Sequence, residues 1–125
     1  MSPDPAAVLA KVRALALALP ETTERESHGA PGFLIVDGKF FAYFWHDHHG
    51  DGETVAIVKT TGVDEQAMLI EADPETYFRP AYLGASGWVA MRLDRDDTDW
   101  DRVGDRIAIS WELAAPRRLL EAGGR

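Results

Sequence analysis

Apolar and polar positions alternate along this chain with two periods. Val8, Val12, Leu15 and Leu19 recur at helical spacing, with Leu9 and Ala16 beside them. Asp4-Pro5 reads as a cap followed by the first helical residue, and Pro20 stops the run, so the pattern predicts an amphipathic helix from Pro5 to Leu19. Glu21 to Pro31 is polar, has no apolar period and reads as a loop. The stretch Gly32 to Lys59 then organises the rest. Gly32 to Val36 is a short apolar run, and Asp37-Gly38 is a hairpin signal. Lys39 to His46 is a second run, unusually aromatic, and Thr54 to Lys59 is a third. Together they predict three consecutive antiparallel strands. In the second, strict alternation puts Phe40, Ala42 and Phe44 on one face and Phe41, Tyr43 and Trp45 on the other. Helices on one side of such a sheet leave one aromatic row partly open, unless a loop or the C-terminal segment covers it.

Further signals complete the order. Thr61 to Asp64 has the form of a capping box, so a second helix starts near Val63 and ends at Ala72, before Asp73-Pro74. Glu75 to Phe78 reads as one more turn, and Arg79 to Gly87 is rich in turn formers. Trp88 to Leu93 reads as a fourth strand, with Val89, Met91 and Leu93 facing the core and Trp88, Ala90 and Arg92 facing away. Thr98 to Asp101 is another capping box. Trp100, Val103, Ile107, Trp111 and Ala114 then predict a helix from Asp99 to Ala115, in which Gly104 suggests a close helix contact. Pro116 interrupts it. Arg117 and Arg118 suit a helix C-terminus, and Leu119-Leu120 a last docked turn. The fold class is α+β: a single compact domain, an antiparallel sheet with helices packed on one face.

Composition narrows the function. At 125 residues the chain is one domain that can bury a core unaided. It has no cysteine, which excludes disulfides and thiolate chemistry and fits a cytoplasmic location. The N-terminus lacks a signal-peptide pattern, and no apolar run approaches a membrane span. The net charge of −8 opposes phosphate backbones and anionic membranes, so DNA as a partner must rely on a local basic patch.

Several residue groups carry candidate chemistry. Lys59, Trp88, Arg92, Arg117 and Arg118 could form a basic, aromatic binding surface. The competing structural reading buries Trp88 under a loop and pairs the arginines with Asp94, Asp97 or Asp101. His46, Asp47, His48, His49 and Asp51 have ligand-type side chains but lack a third fixed ligand, so no metal is assigned. The acidic stretch Asp94, Asp96, Asp97, Asp99 and Asp101 lacks EF-hand spacing and is explained by capping and solvation. His28 follows Ser27, but adjacent extended side chains diverge, so the two make a poor nucleophile–base pair. There is no G-x-S-x-G elbow, phosphate loop, dinucleotide fingerprint or zincin motif, so no catalytic residue and no cofactor are assigned.

His28-Gly29-x-Pro31-x-Phe33, Phe41-Ala42, Lys59, Pro80-Ala81-Tyr82, Gly87-Trp88, Ser110 and Ala115-Pro116-Arg117-Arg118 together resemble the MmcQ/YjbR family of small bacterial proteins. The resemblance runs from about Val8 to Leu120. It implies a CyaY-like sheet-and-helix fold, and it implies DNA binding, because that fold looks like a double-wing DNA-binding module. It supplies no catalytic residue. The expectation is therefore a non-enzymatic cytoplasmic binding module for DNA or a partner protein, its oligomeric state open. The surface would be drawn from His28, Lys59, Tyr82, Trp88, Arg92, Arg117 and Arg118. The alternative is a small-molecule or metal-binding protein with a pocket near His28, Tyr82 and Trp88.

Overall fold

The structure, a computed structural model, describes residues 3–47 and 50–122. Its elements in chain order are α1 (Pro5–Leu17), β1 (Thr22–Ser27), β2 (Ala30–Ile35), β3 (Phe40–His46), β4 (Thr54–Val58), α2 (Val63–Ala72), β5 (Tyr77–Phe78), a short 3-10 helix (Leu83–Ser86), β6 (Val89–Arg92), α3 (Trp100–Ala114) and α4 (Arg117–Glu121). The six strands form one sheet in the order β1-β2-β3-β4-β6-β5, with every neighbour antiparallel. Helices lie on one face. Val12 and Ala16 of α1, Ile107 and Trp111 of α3 and Leu119 of α4 meet Phe33, Phe44, Val58 and Met91 of the sheet in the main core. The α+β architecture is as expected from the two periods.

Two expectations about the chain's first half are corrected. Residues 21–31 are not a loop. Six of them form the edge strand β1, paired residue by residue with β2. An edge strand that is solvated on one side needs no apolar row, so its polar sequence TTERES hid it. The turn between β1 and β2 is two residues, His28 at φ 53 and Gly29 at φ 80. Positive φ at both positions is the type I′ arrangement whose twist matches that of the strands, and Gly29 reaches it without strain. The Asp37-Gly38 connection does reverse the chain, but only Asp37 is left-handed (φ 60), with the Gly38 amide donating to the Ile35 carbonyl at 2.7 Å.

The second correction concerns which aromatic side chains face out. Phe33 of β2 pairs with Ala42, but the next residue, Leu34, pairs with Phe40. Phe41 is therefore an extra residue, a β-bulge, and the strict alternation fails there. Phe41 turns into the main core with Ala42 and Phe44, while Phe40 joins Tyr43 and Trp45 on the far face.

A buried hydroxyl closes this irregularity. Ser110 of α3 is fully buried; its Oγ accepts from the Lys59 amide at 2.8 Å and donates to the Phe41 carbonyl at 2.5 Å. The ladder between β3 and β4 stops at Ala42 and Val58, and the hydroxyl bridges the next two backbone groups.

The second half keeps its predicted helices, with different caps. Helix α2 has no side-chain cap; instead Glu65 reaches back to accept from the Thr61 amide at 2.8 Å. Asp99, not Thr98, caps α3 by accepting from the Arg102 amide at 3.1 Å. Residues 77–78 form a strand at the second edge rather than a helical turn. Gly104 does mark a close contact, since a Cβ there would lie 3.2 Å from Leu15 of α1.

Candidate functional site: the helix-free face of the sheet

On the face away from the helices, Val55, Ile57, Trp88 and Ala90 form a second, smaller apolar cluster. Tyr43, Trp45, Phe78 and Leu83 pack against it. Leu83 comes from the 3-10 helix, so a loop does cover part of this face; the C-terminal helix packs in the main core instead. The loop is held down from below. Gln66 of α2 is buried, and its Nε2 donates to the carbonyls of Gly84 and Trp88 at 2.8 and 2.6 Å.

The register aligns Arg25, Gly32, Tyr43, Ile57, Ala90 and Phe78 in one row across the sheet. Above it stands a column of alternating contacts. The Arg25 guanidinium lies 5.2 Å from the Phe40 ring, Phe40 stacks on Tyr43 at 5.3 Å, Tyr43 meets Trp88 at 5.5 Å, and Lys59 Nζ lies 5.2 Å from Trp88. Three rings are thus capped at both ends by a cation. Gly32 makes room for it, because a Cβ there would lie 2.7 Å from the Phe40 ring. A second cation–ring pair lies beside the column, Arg92 over Phe78 at 4.5 Å.

Charge on this face differs from that of the whole chain. Among the described residues, no carboxylate is ion-paired with Arg25, Lys39 or Lys59, whereas Arg13, Arg92, Arg102, Arg106, Arg117 and Arg118 each have one. Burial in front of Trp88, and secondarily the charge of Lys39, hold the Lys59 amine below the usual lysine range. Burial also pushes the Tyr43 phenol up, opposed by its hydrogen bond with Ser27. The face therefore offers aromatic rings beside three cations, Arg25, Lys39 and Lys59, that have no ion-paired carboxylate among the described residues, in a protein of net charge −8.

Of the predicted site residues, Lys59, Trp88 and Arg92 are brought together here. Trp88 is only 8 % exposed, so it is the floor of the column rather than a free platform. Arg92 pairs with Glu53 at 3.2 Å and donates to the carbonyls of Pro74 and Glu75, not to the acidic stretch 94–101. Arg117 and Arg118 lie elsewhere, on α4, where Arg117 pairs with Glu121 and Arg118 with Glu21, both at about 3 Å. The sheet also separates the proposed pocket residues: His28 is exposed in the β1–β2 turn, and Tyr82 lies in the connection between β5 and β6 at the opposite edge. Tyr82 is 84 % exposed and sits at φ 63, ψ −57, with the Leu83 amide donating to the Ala81 carbonyl at 2.6 Å. This is a strained γ-turn. A cleft of about 380 Å³ does exist near α3, but its walls are charged and include the Arg102–Asp73 pair at 2.7 Å.

His46 Nδ1 lies 2.8 Å from Thr54 Oγ1, His48 and His49 fall outside the described residues, and no group of three ligand-type side chains converges among the described ones. No described helix is long and apolar enough to cross a membrane. Sequence reasoning missed Arg25, Lys39, Phe40 and Tyr43 as members of this face. The residue types were visible, but the bulge that turns Phe40 outward and the strand that carries Arg25 were not.

Comparison with known proteins adds identity to this geometry. The crystal structure of Deinococcus radiodurans protein DR2400, which carries the DUF419 domain, is similar in fold. Its TM-score is 0.70 at 17 % identity, covering 94 % of this chain and 88 % of that one. No curated protein matches the sequence. The YjbR family profile matches residues 17–113, the greater part of the chain, and the protein therefore belongs to the YjbR family.

Proposed function

We propose that this chain is a non-enzymatic module that binds nucleic acid on the helix-free face of its sheet. The column Arg25–Phe40–Tyr43–Trp88–Lys59 carries the reading, because it sets planar rings beside cations that have no ion-paired carboxylate among the described residues. Nucleic acids present that chemistry in reverse, planar bases beside phosphates. Local charge makes contact feasible: the acidic residues that pair with arginine are largely on other surfaces, as at Glu24, Asp73 and Glu121. Arg117 and Arg118 are left out of the surface, since both are paired on the helical side.

The test is fluorescence anisotropy of labelled oligonucleotides at low and moderate salt. Binding should weaken steeply with salt as counterions are displaced. Lys59→Ala should weaken it and flatten that dependence, and Arg118→Ala should leave both unchanged. Absence of binding at low salt, or equal effects of the two substitutions, would refute the assignment.

A further inference from the structure

We infer that the nucleic acid taken by this face is single-stranded, with one base stacked on the Arg25 end of the column and phosphates farther along the strand held by Lys39 and Lys59. This rests on the nucleic-acid reading above and adds to it the form of the ligand and its orientation.

The column itself argues for end-on stacking. Phe40 is covered on one side by Arg25 and on the other by Tyr43, and Tyr43 in turn lies between Phe40 and Trp88. These ring faces are already occupied. At one end Lys59 closes the stack with a compact ammonium, which offers no plane. At the other end Arg25 closes it with a planar guanidinium on an exposed residue of the edge strand. A guanidinium plane backed by a ring stacks well with an unpaired base. Extending the column by one base needs no rearrangement of the rings beneath it.

Phosphate sites lie along the column, Lys39 next in sequence to Phe40 and Lys59 at the Trp88 end. The charge of Lys39 is felt at Lys59. Neither lysine has an ion-paired carboxylate among the described residues, so a phosphate can meet either charge. Duplex DNA fits this arrangement poorly. Its bases are stacked on one another, so none can cap the column without being extruded. Among the described residues this face carries only the four-residue 3-10 helix, too short to enter a groove, and the β1–β2 turn is only two residues long. The duplex also carries one charge per about 1.7 Å, which meets the most repulsion from a protein of net charge −8.

Anisotropy at low salt with three labelled probes tests the inference: an oligothymidine strand, an abasic strand of equal length, and the corresponding duplex. The oligothymidine strand should bind at least about tenfold more tightly than either of the others, the loss expected for one stacked base. Arg25→Lys keeps the charge and removes the plane. It should weaken oligothymidine about tenfold and leave the abasic strand unchanged. The Lys39→Ala, Lys59→Ala double variant should lower the salt slope for single strands by about 1.4, roughly 0.7 for each lost phosphate contact. Thermal unfolding confirms that each variant is folded. Equal binding of abasic and oligothymidine strands would overturn the stacking. A duplex bound as well as the single strand would overturn the strandedness while leaving the nucleic-acid reading intact. Failure of all three probes to bind would overturn both.

Discussion

Ser110→Ala tests whether one buried hydroxyl holds the sheet together where its pairing fails. The substitution leaves the volume nearly unchanged and sits at a residue with no exposed surface. It removes two hydrogen bonds at once, one from the Lys59 amide and one to the Phe41 carbonyl. Both groups stay buried or half-buried, with no water-filled site opened by so small a change. Each orphaned backbone group costs about 1–3 kcal/mol. The hydroxyl's own desolvation is recovered, so we expect a net loss of about 2–4 kcal/mol. A chain of 125 residues unfolds with an entropy of about 0.26 kcal/mol/K near its midpoint, taking about 2.1 cal/mol/K per residue. The expected fall in Tm is therefore about 8–15 °C. Thermal unfolding followed by circular dichroism measures it, and urea unfolding should show a lower midpoint with an unchanged slope. A loss below about 0.5 kcal/mol at constant slope would show that β3 and β4 close directly without the bridge, and the reasoning would fail. A fall in slope would mean instead that the native state had loosened.

Other consequences follow from the same structure. Gly87 is left-handed at φ 91, and a Cβ there would lie 2.8 Å from the Gly62 backbone, so Gly87→Ala should cost at least about 2 kcal/mol in urea unfolding. The bidentate hydrogen bond from Arg13 holds the Glu24 carboxyl below the usual range, against the smaller opposing effect of burial. A lowered carboxylate pKa stabilises the fold above the unfolded value, near 4.3, and that contribution is lost as pH falls through the folded value. Stability should therefore drop below about pH 4.3, and less steeply in Glu24→Gln, as read from melting temperature against pH. Lys59 should lose its proton at lower pH than an ordinary lysine, and Lys39→Ala should move that titration upward, a shift readable by NMR of the lysine side chains.

Much of the fold could be read from hydrophobic period alone. The helix Val63–Ala72 lies where the pattern places it, near Val63 to about Ala72, because Asp73-Pro74 stops it. The alternation in Trp88 to Leu93 gave both faces of β6. What was hidden has physical causes. β1 has an exposed edge and no apolar row, and β5 is two residues long, too short for any period. The Phe41 bulge inverts a face without changing the composition of the strand. The candidate site divides in the same way. Lys59, Trp88 and Arg92 could be found from strand alternation. Arg25 could not, because its polar strand reads as a loop, and Arg117 and Arg118 join the group only by their charge, which does not show that α4 lies on the other side.

The polar strand β1 has a consequence for what the protein can leave uncovered. A sheet with an open aromatic face and free strand edges would invite other chains to add strands and polymerise. Here one edge is β1, with Glu24, Arg25 and Glu26 in its middle and Arg13 clamped onto Glu24 at 2.6 Å. The other is β5, two residues long, too short to template a partner. Charge guards one margin and brevity the other, so an incoming β-segment finds no docking rail. Rings can then stay at the surface without becoming a nucleus for aggregation.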